Sequence, residues 1–157
     1  MTNSYFEIKK KLLEIAIQRT NDRIEMVESA LETARDSSND DTKSSAGDKY
    51  ETSREMIQQD INRYQGQLLE ANKDLIQLTN ITSTIADKID FVKLGSLVKT
   101  NVGFYFFIAS SIGAIKIGDN NIFVISLASP IGQLLLGKKI GDSFLFNKLN
   151  QTISELY

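Results

Sequence analysis

Two apolar seams of equal length, separated by an acidic turn, constrain this chain more than any other feature of its sequence. Leu13, Ile17, Thr20, Ile24, Val27, Leu31 and Ala34 recur at alternating spacings of four and three residues. Ile57, Ile61, Tyr64, Leu68, Ala71, Leu75 and Leu78 repeat the same spacing. That period belongs to a helix burying one stripe against a partner helix. Between the seams, Ser37, Ser38, Asn39, Ser44, Ser45 and Gly47 compete with helical hydrogen bonding or loosen the backbone. The segment 36–48 also carries Asp36, Asp40, Asp41 and Asp48 against the single Lys43. Two helices that need each other, joined by a turn, read as an antiparallel coiled-coil hairpin with carboxylates at its tip.

Ser4-x-x-Glu7 is a capping-box pattern, so the first helix is expected to start at Ser4 and to run to about Asp36. The second starts with Ser45 or Asp48 as its cap, Glu51 completing a capping box for the latter, and runs to about Asn80 with Gly66 as a weak point. Each arm is then about 30 residues, or roughly 45 Å. Beyond a Thr- and Ser-containing linker, 81–90, the character changes: seven of the nine glycines and the only proline lie past residue 94. The runs 95–100, 103–110, 114–117 and 122–126 are β-rich, with a hairpin turn expected at Asp119-Asn120-Asn121. Pro130 to Leu136 suits one short helix stopped by Gly137, and 143–146 and 152–156 suit closing strands. The expected fold is therefore α+β, with a hairpin over 1–80 and a small, mostly antiparallel β domain with one short helix over 91–157. A domain of that size is marginal alone, and packing against the hairpin's base would help it.

The chain has no histidine and no cysteine. That excludes disulfides, thiolate metal sites, cysteine nucleophiles, Ser-His-Asp arrangements and the commonest general base. The first residues, MTNSYFEIKK, lack an apolar signal core, and no apolar run approaches a membrane span. A cytoplasmic location without membrane contact is the expectation. From Phe91 onward six lysines stand against two aspartates and one glutamate, a net +3, so the total of −2 leaves −5 for residues 1–90. An acidic hairpin would be repelled by nucleic-acid phosphates. It suits a site holding divalent metal or basic groups.

Ser129-Pro130-Ile131, followed by Leu135-Leu136-Gly137-Lys138-Lys139-x-Gly141-Asp142, resembles the C-terminal signature of the Gre-type bacterial transcription elongation factors. Gly95-Ser96-x-Val98 is similar to the first strand of the same domain, and Ser45 with Tyr50-Glu51-x-x-Arg54 to the start of the family's second coiled-coil helix. The resemblance implies an FKBP-like C-terminal domain. It also implies a factor that docks that domain on RNA polymerase and passes its hairpin down the secondary channel. At the active centre the tip acids of such factors help hold a second Mg²⁺, so that the polymerase cleaves a backtracked transcript near the RNA 3′ end. On this likeness Ser129, Pro130, Lys138, Lys139 and Asp142 are the docking candidates, and Asp40, Asp41 and Asp48 the tip acids. No stable metal site or bound cofactor is expected, the Mg²⁺ being shared with the polymerase. Where the family has its tip acids this sequence has Lys43 and Ala46, Gly47 replaces an Asn, Leu134 replaces a small residue, and the tip is a few residues longer.

Each residue also has a plainer reading. Asp48 suits a helix N-cap, worth about 1 kcal/mol. Lys138 and Lys139 complement a helix C-terminus. Alternating members of Phe104–Phe107 suit a core, without the basic interleaving of a base-stacking surface. Gly137-Lys138-Lys139 lacks the glycine spacing of a phosphate loop. The expected function is a polymerase-binding factor, not an enzyme in its own right, that either stimulates cleavage or occupies the channel. A prolyl isomerase and a coiled-coil adaptor are the rivals. The isomerase needs an apolar, aromatic-lined cleft. The adaptor needs unpaired seams, whereas two equal seams in one chain favour a monomer.

Overall fold

The computed structural model describes residues 2–41 and 47–157, with the side chains of residues 4–39 and 51–157. The chain divides into two units, one of Met1–Gln18 with Ile76–Tyr157 and one of Arg19–Leu75. Two long helices, α1 (Thr2–Asp41, 40 residues) and α2 (Gly47–Thr84, 38 residues), precede a six-stranded sheet and one short helix. The mixed α+β class expected from the sequence is the class observed.

In the unit Arg19–Leu75 the seams pair as the heptads require. Thr20, Val27, Leu31, Ile61 and Ala71 are buried, and Ile24, Ala34, Ile57, Tyr64 and Leu68 are half-buried. Arg23 donates across to Asp74 at 2.9 Å, so one cross-helix ion pair fixes the register beside Val27 and Ala71. Both partners are partly exposed, so this pair contributes at most about 1 kcal/mol.

Both helices are longer than their local signals suggest. α1 starts at Thr2, which places Ser4 inside the helix instead of at its cap, because Tyr5 and Ile8 pack on the core and reward the extra turn. It also continues past Asp36, since serines weaken a helix by only a few tenths of a kcal/mol each and no proline intervenes. α2 runs through Thr84, taking residues 81–84 out of the expected linker, because Ile81 is 1% exposed and extends the buried stripe.

In the other unit the strands are β1 (Leu97–Thr100), β2 (Tyr105–Ala109), β3 (Gly113–Ile117), β4 (Asn120–Ser126), β5 (Ser143–Phe146) and β6 (Leu149–Leu156), with α3 (Pro130–Leu135) between β4 and β5. Their order across the sheet is β3-β4-β2-β1-β6-β5, and only β2 with β4 is parallel. The β3–β4 turn is Gly118-Asp119, with Ile117 paired to Asn120, so Asn120 and Asn121 already lie in the strand. Gly118, at φ +60, takes the first central position, where a tight hairpin requires a positive φ. The β5–β6 turn is Asn147-Lys148, both at positive φ (51 and 65).

Strand alternation splits this unit's core between the two faces of the sheet. On one face Leu97, Phe107, Ile122 and Val124 pack with Leu12, Leu13 and Ala16 of α1 and Leu78 and Ile81 of α2. On the other, Val98, Phe106, Ile108 and Ile153 pack with Ile131 and Leu135 of α3 and with Phe144. Tyr5 stacks on Tyr157 at 3.7 Å between ring centroids, and Tyr5 donates to the Glu155 carboxylate at 3.1 Å.

Candidate functional site

The face of the sheet that carries α3 holds an open aromatic cleft of about 370 Å³. Its origin is the Phe104–Phe107 run. Phe107 is fully buried on the opposite face, while Phe106 and the exposed Phe104 turn towards α3's side. The parallel register sets Phe106 beside Phe123, with ring centroids 5.9 Å apart. Phe104 closes the group edge-on to Phe123 at 6.1 Å. Ile125, Ile131, Phe146 and Leu149 complete the walls, and no charged side chain lines them.

At the cleft lies Gln151 of β6, only 2% exposed, whose Oε1 has no hydrogen-bond partner. A buried carbonyl oxygen left unpaired costs about 1–3 kcal/mol. An N–H donor brought in by an occupant would remove that cost.

One wall of the cleft is set by Ser129-Pro130-Ile131. Ser129 is the N-cap of α3: its Oγ accepts from Gly132 N at 3.1 Å and donates to Ser126 O at 2.7 Å. Pro130 follows in the first helical turn, where its missing N–H costs nothing. Ile131 is thereby turned into the wall, 7% exposed. Gly132 is required here, because a Cβ would collide with Ser126 O and the Leu127 backbone.

The Lys138–Asp142 segment is a backbone-organised turn. Gly137 and Gly141 adopt φ +81 and +93. Gly137 N donates to Val92 O, and Val92 N donates to Lys138 O, both at 2.8 Å. The Asp142 carboxylate accepts from Lys139 N at 2.7 Å, while Asp142 O receives Ile153 N at 2.9 Å.

The docking candidates therefore divide. Ser129 and Pro130 adjoin the aromatic cleft through Ile131, the Asp142 carboxylate is engaged by the turn, and Lys139 lines a second cleft. Asp40, Asp41 and Asp48, like the cap candidate Ser45, lie outside the residues whose side chains are described. Among the described residues no cluster of acidic side chains is placed to hold a metal ion, and no helix is long and apolar enough to cross a membrane. Sequence reasoning did not single out Phe123, Phe146 or Gln151. The signal for Gln151 was its period-two spacing between Leu149 and Ile153.

No protein-family model matches this sequence, and comparison with curated proteins finds no match. Among solved structures, that of the transcription factor Gfh1 is similar at 21% identity and a TM-score of 0.34, covering 90% of this chain and 93% of the other.

Proposed function

We propose that this chain is an RNA polymerase-binding transcription elongation factor of the Gre type. In this reading the FKBP-like domain docks on the polymerase through the aromatic cleft and Ser129-Pro130-Ile131, and the hairpin carries Asp40, Asp41 and Asp48 into the secondary channel. The protein acts as a cytoplasmic monomer, with no stable metal site of its own, on the polymerase's active centre. The observation that carries the reading is the conjunction of a self-paired helical hairpin with an uncharged aromatic cleft whose wall is built by the Gre-like Ser-Pro-Ile motif. An uncharged cleft with one unpaired acceptor suits an apolar side chain presented beside an N–H, as on a protein surface, better than it suits a phosphate backbone.

The test uses a backtracked elongation complex with labelled RNA and Mg²⁺, comparing the wild type with Asp40→Asn/Asp41→Asn and with Phe104→Ala. Cleavage that needs both the protein and its tip carboxylates supports a cleavage factor. Polymerase binding without cleavage supports a channel-occupying regulator. Absence of binding by the wild type ends the reading altogether. Phe104→Ala is expected to weaken polymerase binding about tenfold, the loss of one aromatic anchor.

The same cleft meets the requirement of the isomerase rival, since an aromatic-lined pocket accepts a prolyl ring. A proline-containing peptide whose cis/trans exchange is unaltered by the protein removes that reading.

A further inference from the structure

A second cleft, of about 690 Å³, lies between the first turns of α1 and the segment 85–90 that follows α2. Tyr5, Phe6, Ile85, Ile140 and Leu156 contribute apolar surface. The volume is that of a site for a small organic ligand.

Lys9 lines this cleft and is 4% exposed. It belongs to the buried stripe of α1, one turn before Leu12 and Leu13 and two before Ala16. Its ammonium makes no hydrogen bond or ion pair with any described residue, and the ion pairs found among them involve other side chains. A lysine on an apolar face ordinarily lays its stem along the surface and holds its charge in water. Here the stem is buried and the ammonium keeps only slight contact with solvent at the cleft; its pKa is lowered to about 8, chiefly by burial, with the nearby Lys93 also lowering it and Asp87 opposing. Lys88, Asp90, Lys139 and the phenol of Tyr157 also face the cleft. A largely desolvated ammonium at an apolar cleft, with no ion-pair partner, is held at a cost that an entering anion would offset.

We propose that this cleft is a binding site for a small organic monoanion, an acyl chain whose carboxylate pairs with Lys9 while the chain fills the apolar part. The carboxylate would be the partner that the fold leaves out. Asp87 and Asp90 at the same cleft favour a single negative charge over a polyanion such as a nucleotide triphosphate.

The experiment is calorimetric titration of the whole protein with decanoate, decanol and inorganic phosphate. One equivalent of decanoate is expected to bind, at least about tenfold more tightly than decanol, and phosphate not to bind. Lys9→Met should weaken decanoate about tenfold and leave decanol unchanged. Asp87→Asn should tighten decanoate severalfold, a gain that damage to the fold does not produce. Carbon-13 labelling of the lysines should show the Lys9 titration moving upward on binding. Equal affinity for decanoate and decanol, undiminished decanoate binding by Lys9→Met, or no saturable binding by the wild type overturns the proposal.

Discussion

The two clefts of the sheet-bearing unit make opposite use of one leftover polar group. The aromatic cleft has no charge on its walls and keeps a single unpaired acceptor, Gln151 Oε1. The second cleft draws charged side chains of both signs to an apolar pocket, and among them Lys9 is the largely desolvated one. A neutral acceptor costs a hydrogen bond; a buried cation costs much more unless it is answered or deprotonated. The first therefore suits a docking surface for a neutral, apolar partner, and the second a pocket with a strong preference for anions. Their energetic signatures separate on mutation.

The largest expected effect lies under the aromatic cleft. Gly132→Ala forces a methyl into Ser126 O and the Leu127 backbone, neither of which can swing aside as a side-chain tip would. A loss of about 2–3 kcal/mol in urea unfolding is expected, with decanoate affinity unchanged if the two clefts are independent. Lys9→Met should instead raise the stability of the ligand-free protein at pH 7 by about 1–2 kcal/mol, after allowance for solvent screening. The sign follows from the lowered pKa: between about 8 and 10.5 the native state holds fewer protons on Lys9 than the unfolded chain. Wild-type stability therefore rises with pH across that window, and its deficit against Lys9→Met is full below pH 8 and closes above it. Urea titrations of the two proteins at pH 7 and pH 10 measure this.

Gln151→Leu should gain about 1 kcal/mol in the free protein by removing an unpaired buried oxygen, while weakening the docking partner. Unchanged polymerase affinity in that variant would assign Gln151 no part in recognition. The smallest effect sets the background for the others. Gly66 stands in an exposed stretch of α2 with nothing near the position of a Cβ, so Gly66→Ala should stabilise by about 0.5–1 kcal/mol and leave both clefts untouched.

The hairpin was legible because its signal repeats: fourteen seam positions at one period outweigh any local irregularity. The strands were legible too, since Gly, Asn and Asp punctuate them. Helix ends were not, because Ile81 and Tyr5 extend their helices through contacts with residues far along the chain. The β3–β4 turn, expected at Asp119–Asn121, lies at Gly118-Asp119, as the two asparagines are good turn formers that here accept strand positions after Asp119. Of the functional candidates, Ser129-Pro130-Ile131 was readable as a motif, but the aromatic cleft was not. Its walls come from four strands and a helix, and only the parallel register of β2 and β4 sets Phe106 beside Phe123. Lys9 was hidden for a different reason: it opens a run of three lysines, and nothing local distinguishes the buried one from its exposed neighbours Lys10 and Lys11.

The place of β6 in the sheet has a consequence for how the molecule is made. The last strand in the sequence is an interior one, seated between β1 and β5, and its register is held by contacts such as Ser154 to Lys99, 55 residues apart. Tyr157 exchanges both backbone hydrogen bonds with Leu97, and Tyr5 reaches Glu155 across a separation of 150 residues. During synthesis β1 thus emerges with one side open and stays so until β6 has followed it. The helices, whose backbone hydrogen bonds are local, form early, and the sheet locks late. Nascent chains of this protein should therefore pass through a stage in which an unpaired strand edge is the surface most in need of a chaperone.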